Sequence, residues 1–227
     1  MSDNALGSST AVEKQVDQME ILATTFVVPV FIVLLAAADI TKDFELFGFH
    51  LALKDAFGKV AAIFDCLLLL FCTSCWKAGD LLKGCRGEHV NRAVIAIVTH
   101  KWLLNPFSYS GDGLLSAATC SVGGALLTLT WWGGLCGLKL LSSVTTDMGV
   151  LEKCLYALYF VLGAAALGGV VRLTRMIVRL TEQSLEGSDN EPMRPRSLKR
   201  SIAVKSGFSI IATILGYWLF YSFAHVA

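Results

Sequence analysis

Few residues of this chain could do chemistry, and most of them lie inside or beside apolar runs. One acid, Asp65, interrupts the otherwise apolar run 60–76. An ionisable group at membrane depth is costly, so it reads either as functional or as a side chain that snorkels to the interface. Arg172, Arg175 and Arg179 follow another uncharged run, with Leu173, Met176, Ile177 and Leu180 interleaved. On a helix that pattern puts basic residues on one side and apolar residues on the other. Cys72-Thr73-Ser74-Cys75 has the CxxC spacing of redox and zinc sites, but it lacks a second pair and a nearby histidine. Of the four histidines, His50, His89 and His100 fall in connecting segments and His225 in the tail, so no intramembrane pair could hold a haem. No catalytic, cofactor or metal site is expected, and the chain reads as a non-enzyme.

The elements that must position these residues are mostly membrane helices. Hydrophobic residues make up 55% of the 227 and charged residues only 16%, with a mean hydropathy of +0.62. Soluble domains carry about one quarter charged residues. A net charge of +1 gives no global field for nucleic acid, so charge matters here only through its placement. The seven cysteines are an odd number, and most lie in apolar segments, which excludes a secreted disulfide framework. Residues 1–20 hold four acids against Lys14 alone and lack the basic region of a cleavable signal.

Uncharged runs occur at 21–38, 113–138, 154–171 and 206–227, and 60–76 carries only Asp65. Each is about the length that crosses a bilayer. Pro29 inside the first is tolerable where neighbours satisfy the freed carbonyl. The run 113–138 holds Gly123, Gly124, Gly133 and Gly134, which permit close helix approach, and Trp131 and Trp132, which suit a lipid–water boundary. The run 154–171 contains Gly163, Gly168 and Gly169, again a packing surface. Phe44, Phe47 and Leu51 at helical spacing make 41–59 either an interfacial helix or a solvated loop. Val90, Val94, Ile97 and Val98 make a short stripe that lies on the membrane surface or packs on other helices.

Segments 77–101 and 172–205 hold 5 and 8 lysines and arginines, against 3 and 2 in 41–59 and 137–153. By the positive-inside rule the two basic segments and the N-terminus are cytosolic and the C-terminus lies across the membrane. The arginine row then anchors a helix at anionic headgroups or inserts shallowly to bend the membrane. A voltage sensor is a third reading. Asn105-Pro106-Phe107 with Asp112 resembles a sensor's third helix, but there are only three arginines, all at one end, and Thr73 or Ser74 stands where an acid is expected.

From about residue 110 the order of features resembles the peroxin-11 family of peroxisomal and glycosomal membrane proteins. An apolar segment ends near Trp131-Trp132-Gly133-Gly134. A second segment runs into Arg172-Leu173-Thr174-Arg175-Met176-Ile177-Val178-Arg179-Leu180. A charged linker follows, then a final segment opened by Arg196, Lys199, Arg200 and Lys205. The apolar run at 21–38 departs from the family, which begins with amphipathic helices. The resemblance implies elongation and proliferation of the organelle by homo-oligomers without catalysis.

The expected architecture is all-α and polytopic, with about five transmembrane helices plus interfacial amphipathic helices. It comprises a polar segment 1–20, a helical membrane domain 21–185, a charged linker 186–205 and a C-terminal membrane helix 206–227. The expected role is shaping or scaffolding an organelle membrane, with an ion channel, a transporter or an accessory subunit of a membrane complex as alternatives. Expected partners are the lipid bilayer and further copies or other membrane proteins, not nucleic acid.

Overall fold

The computed structural model describes residues 3–36, 43–46, 49–52, 56–85, 88–100, 104–108, 114–144, 149–185 and 195–226. They form helices α1 (Asp3–Leu35), α2 (Ala56–Gly84), α3 (Glu88–Thr99), α4 (Leu114–Val144), α5 (Val150–Leu185) and α6 (Pro195–Val226), with a small hairpin of β1 (Asp43–Leu46) and β2 (Phe49–Ala52) after α1. Five of these helices, all but α3, are long and apolar enough to cross a bilayer, as expected of an integral membrane protein. Their outward faces carry large apolar side chains such as Phe31 and Ile214, 63% and 62% exposed, which only a lipid solvent accommodates at this density.

α1 shows why the bundle holds together. Val12, Val16, Met19, Ala23, Phe26, Val30 and Val33 recur at alternating steps of four and three, and all are buried. Such a repeat makes a straight seam along one side of a helix. The seam begins inside the polar segment 1–20, whose residues from Asp3 onward belong to α1. Its polar residues lie on the other side, as at Glu13, Lys14, Asp17 and Gln18, all exposed.

α2 packs against both α1 and α5, α4 packs against α6, and α1 also touches α4 and α3. Two apolar clusters result, one toward each end of the bundle. The first joins Val12–Ala23 of α1 to the end of α2, to α3 and to the end of α5. The second joins the later half of α1 to the start of α2, the end of α4 and the start of α5. The stripe in 77–101 belongs to the first cluster, where Ala93, Val94, Ile97 and Val98 are buried, so α3 packs on other helices.

Glycine sets the spacing between α4 and its neighbours. The Tyr159 hydroxyl passes over Gly134 and donates to the Trp131 carbonyl at 2.9 Å, an approach that a Cβ at position 134 would block. The Trp131 indole lies on Gly163 in the same way, and Trp132 on Gly216. Trp131 stacks parallel to Tyr159 at 6.2 Å, and Trp132 meets Tyr217 and Phe220 at 6.1 Å. The paired tryptophans are therefore interhelical packing groups and not the boundary anchors their residue type suggested. Their rings fill the space that the glycines leave.

Two further expectations are corrected. Within 41–59, expected as an interfacial helix or a solvated loop, Asp43–Leu46 and Phe49–Ala52 pair as antiparallel strands, and α2 is described from Ala56. The strand register sets Phe44 opposite Leu51 and Leu46 opposite Phe49, and Leu46 is buried in the second cluster. The charged stretch 186–205 is helical from Pro195 onward, and 186–194 lies outside the described residues.

Glycine contacts predict opposite effects of one substitution. Gly134→Ala and Gly163→Ala overpack occupied space and lower stability by about 1–3 kcal/mol. Gly168→Ala, with nothing within 4 Å, raises it by up to about 1 kcal/mol through helix propensity. Denaturation of the purified variants in detergent micelles measures the contrast, and equal effects at the three positions would refute it.

Candidate membrane-boundary site

At 1.5 Å per residue, the 36 residues of α5 extend about 54 Å, against roughly 30 Å of hydrocarbon. The helix therefore continues well past the apolar core, and the arginine row lies on this continuation. Three residues before the first arginine, Gly169 lets α5 approach α2 closely: a Cβ there would sit 3.1 Å from Cys75 and 3.2 Å from Trp76. Positions three apart share a helix face, so Arg172 reaches the same neighbour. Its guanidinium carbon is 4.4 Å from the Trp76 ring centroid, and its Nη2 donates to Asp80 Oδ1 at 2.6 Å. Lys83 reaches the same carboxylate at 3.5 Å. Asp80 is largely exposed, so water screens this group, and its main effect is to fix the direction of Arg172.

The other residues of the row divide by face. Leu173 and Ile177 are buried against α2 and α3, and Leu180 is half-buried beside them. The Met176 sulfur lies 3.5 Å from the Cβ position of Gly79. Arg175 and Arg179 stand exposed. Of the two readings of this row, a headgroup anchor and a shallow insertion, the burial of Leu173 and Ile177 bears on the second, since these two side chains are covered by protein. Their apolar flank already has a protein partner in the end of α2, and only the two outer arginines face outward.

Asp65 lies elsewhere. It is 4% exposed within α2, and neither carboxylate oxygen has a hydrogen-bond partner among the described residues. Fifteen residues separate it from Asp80, about 22 Å along the helix, so the intramembrane acid and the arginine row form two sites.

One of the features that suggested a voltage sensor has a local role. Asn105, fully buried, donates to the Ile97 and His100 carbonyls at 3.0 and 3.3 Å and accepts from the Phe107 amide at 2.8 Å, which closes the C-terminal end of α3. Lys205 of α6 donates to the Pro106 and Ser108 carbonyls of that turn. Asp112 lies outside the described residues. Cys72 and Cys75 are buried free thiols, with Cys75 against the Met19 sulfur at 3.4 Å. Sequence reasoning missed Trp76 and Asp80 as partners of Arg172. The available signal was an aromatic and an acid four apart at the end of an apolar run.

Arg172→Ala should loosen the end of α5, lowering amide-exchange protection over 173–180, whereas Arg175→Ala leaves it unchanged. Arg172→Lys should not restore protection, because a point charge reproduces neither the planar stacking nor the fork geometry. Equal protection in all three variants would show that Arg172 does not hold α5 to α2.

No family model, curated protein or solved structure matches this chain, so the reading of the site rests on its geometry.

Proposed function

We propose that the protein is a non-enzymatic scaffold of an organelle membrane, held to anionic headgroups by the basic end of α5. The observation that carries this reading is the division of the arginine row. Arg175 and Arg179 project from a helix that is locked to α2 through Leu173, Met176 and Ile177 and steered by Arg172. The packing favours a rigid electrostatic anchor over a wedge inserted into one leaflet. With the basic ends cytosolic, the arginines meet the leaflet that carries most anionic lipid. The peroxin-11-like layout from residue 110 supports a peroxisomal or glycosomal membrane and a role in organelle elongation. The outward side of α5, with Ala164, Leu167, Gly168 and Val171 exposed, suits a further copy or another membrane protein.

A second reading, an ion channel or transporter, is favoured by Asp65, a buried carboxylate with no hydrogen-bond partner among the described residues. Currents or uptake by the reconstituted protein that vanish in Asp65→Asn would establish it.

The scaffold reading is tested with the intact protein, because a free 168–186 peptide exposes the apolar flank that α2 covers. The double variant Arg175→Gln, Arg179→Gln should lose about 2 kcal/mol of attraction to anionic lipid, roughly thirtyfold in partition between anionic and neutral nanodiscs. Its overexpression should no longer elongate the organelle where the tagged wild type does. Unchanged lipid preference, or a wild type that leaves organelle shape unaltered, would defeat the proposal.

A further inference from the structure

His100 stands directly after the last residue of α3, and its ring faces α1. Its Nε2 lies 2.9 Å from Asp17 Oδ1, and its Nδ1 lies 3.6 Å from Glu20 Oε2. The two contacts differ in kind. The first has the length of a hydrogen bond, so the imidazole tautomer that satisfies Asp17 carries its proton on Nε2. The Nδ1 lone pair is then left to face Glu20 across a gap too long for a hydrogen bond. That atom is sealed from solvent and has no hydrogen-bond partner among the described residues.

We propose that Glu20 and His100, oriented by Asp17, bind a divalent transition-metal cation that clamps the N-terminal half of α1 to the end of α3. Ligand atoms of the three residues converge within 4.8 Å of one another. An ion bonded at about 2.1 Å to both Nδ1 and Oε2 would hold them about 3.6 Å apart at an angle near 120°, the separation seen here. Asp17 supplies the outer partner that metal-bound histidines usually have, a carboxylate on the other ring nitrogen that fixes tautomer and ring direction. Asn105 adds restraint by donating to the His100 carbonyl at 3.3 Å. Position favours a cation as well, since the C-terminal end of α3 presents the negative pole of its dipole. Imidazole with carboxylate selects Zn²⁺, Mn²⁺ or Fe²⁺ over Ca²⁺ and Mg²⁺, and Glu20, partly exposed, leaves room for water to complete the coordination.

Spacing in the sequence hides the set, because 83 residues separate Asp17 from His100. The chain was expected to offer no metal site. What that reading lacked was the contact between α1 and α3, which brings an i, i+3 pair of acids to a histidine 80 residues further on.

The test is titration of the full-length, metal-stripped protein in detergent, without a histidine tag, using Zn²⁺ in calorimetry and Co²⁺ in absorption spectroscopy. The expected result is one ion per chain. His100→Gln and Glu20→Gln abolish binding, whereas Asp17→Asn weakens it tenfold to a hundredfold without abolishing it. Cys72→Ser, Cys75→Ser should bind as the wild type does, and the Co²⁺ spectrum should lack thiolate charge-transfer bands. Circular dichroism of each variant separates loss of binding from loss of fold. Absence of saturable binding by the folded wild type would overturn the proposal. So would binding that survives His100→Gln or Glu20→Gln, or that requires the cysteines.

Discussion

The bundle depends on α2 being apolar along two of its sides at once. One helix with two seams can be covered by α1 on one side and α5 on the other, and that sandwich organises both apolar clusters. In a membrane the gain does not come from removing apolar surface from water, because lipid tails solvate leucine as well as leucine does. It comes from close packing and from hydrogen bonds that lipid cannot offer. The contacts that matter most are therefore those where a small residue lets another group in, as at Gly134, Gly163, Gly169 and Gly216. Tyr159 over Gly134 shows both terms together: a buried hydroxyl finds a backbone carbonyl because the intervening residue has no side chain.

Charge follows the same division between the interior of the bundle and its ends. Most polar groups lie at or beyond the ends of the spans, where Arg172, Asp80 and Lys83 form a screened cluster and Lys205 satisfies the turn that closes α3. Asp65 departs from this division: it is buried within α2 and has no hydrogen-bond partner among the described residues. Natural sequences seldom leave a buried carboxylate unpaired without a use for it. Stability does not explain its presence, since an apolar residue would pack there at lower cost.

Membrane character and the five long helices were legible from uncharged runs, and the continuation of α5 from the arginine row. The N-terminal half of α1 was also legible in principle: Val12, Val16 and Met19 continue the register of Ala23, Phe26, Val30 and Val33, but a scan for uncharged runs stops at Glu20. The hairpin went unread because Phe44, Phe47 and Leu51 satisfy a helical period, while the pairs Phe44 with Leu51 and Leu46 with Phe49 satisfy an antiparallel register. A short segment supports both patterns, and tertiary contact at Leu46 decides. Trp131 and Trp132 were misplaced for a different reason. Tryptophan suits both an interface and an interhelical gap, and only the facing residues, Gly163 and Gly216, distinguish the two. The partners of Arg172 and His100 come from other helices: Trp76 and Asp80, four apart, mark a face of α2 in the sequence, but only the packing of α5 on α2 pairs that face with Arg172.

The locking of the apolar flank of α5 has a mechanical consequence. An amphipathic helix bends a membrane by inserting apolar volume beneath the headgroups of one leaflet. Leu173 and Ile177 supply none of that volume, because the end of α2 and α3 already cover them. On the proposed reading, the arginine end of α5 offers the bilayer the exposed charges of Arg175 and Arg179, and such charges attract headgroups only within a Debye length, about 8 Å at physiological salt. An anchor of the proposed kind would fix the angle and depth of the whole bundle without changing the area of one leaflet. Any curvature must then come from the shape of the bundle or from the arrangement of many copies. In either case the packing of Leu173 and Ile177 against the rest of the bundle decides which way the helix face bearing Arg175 and Arg179 turns.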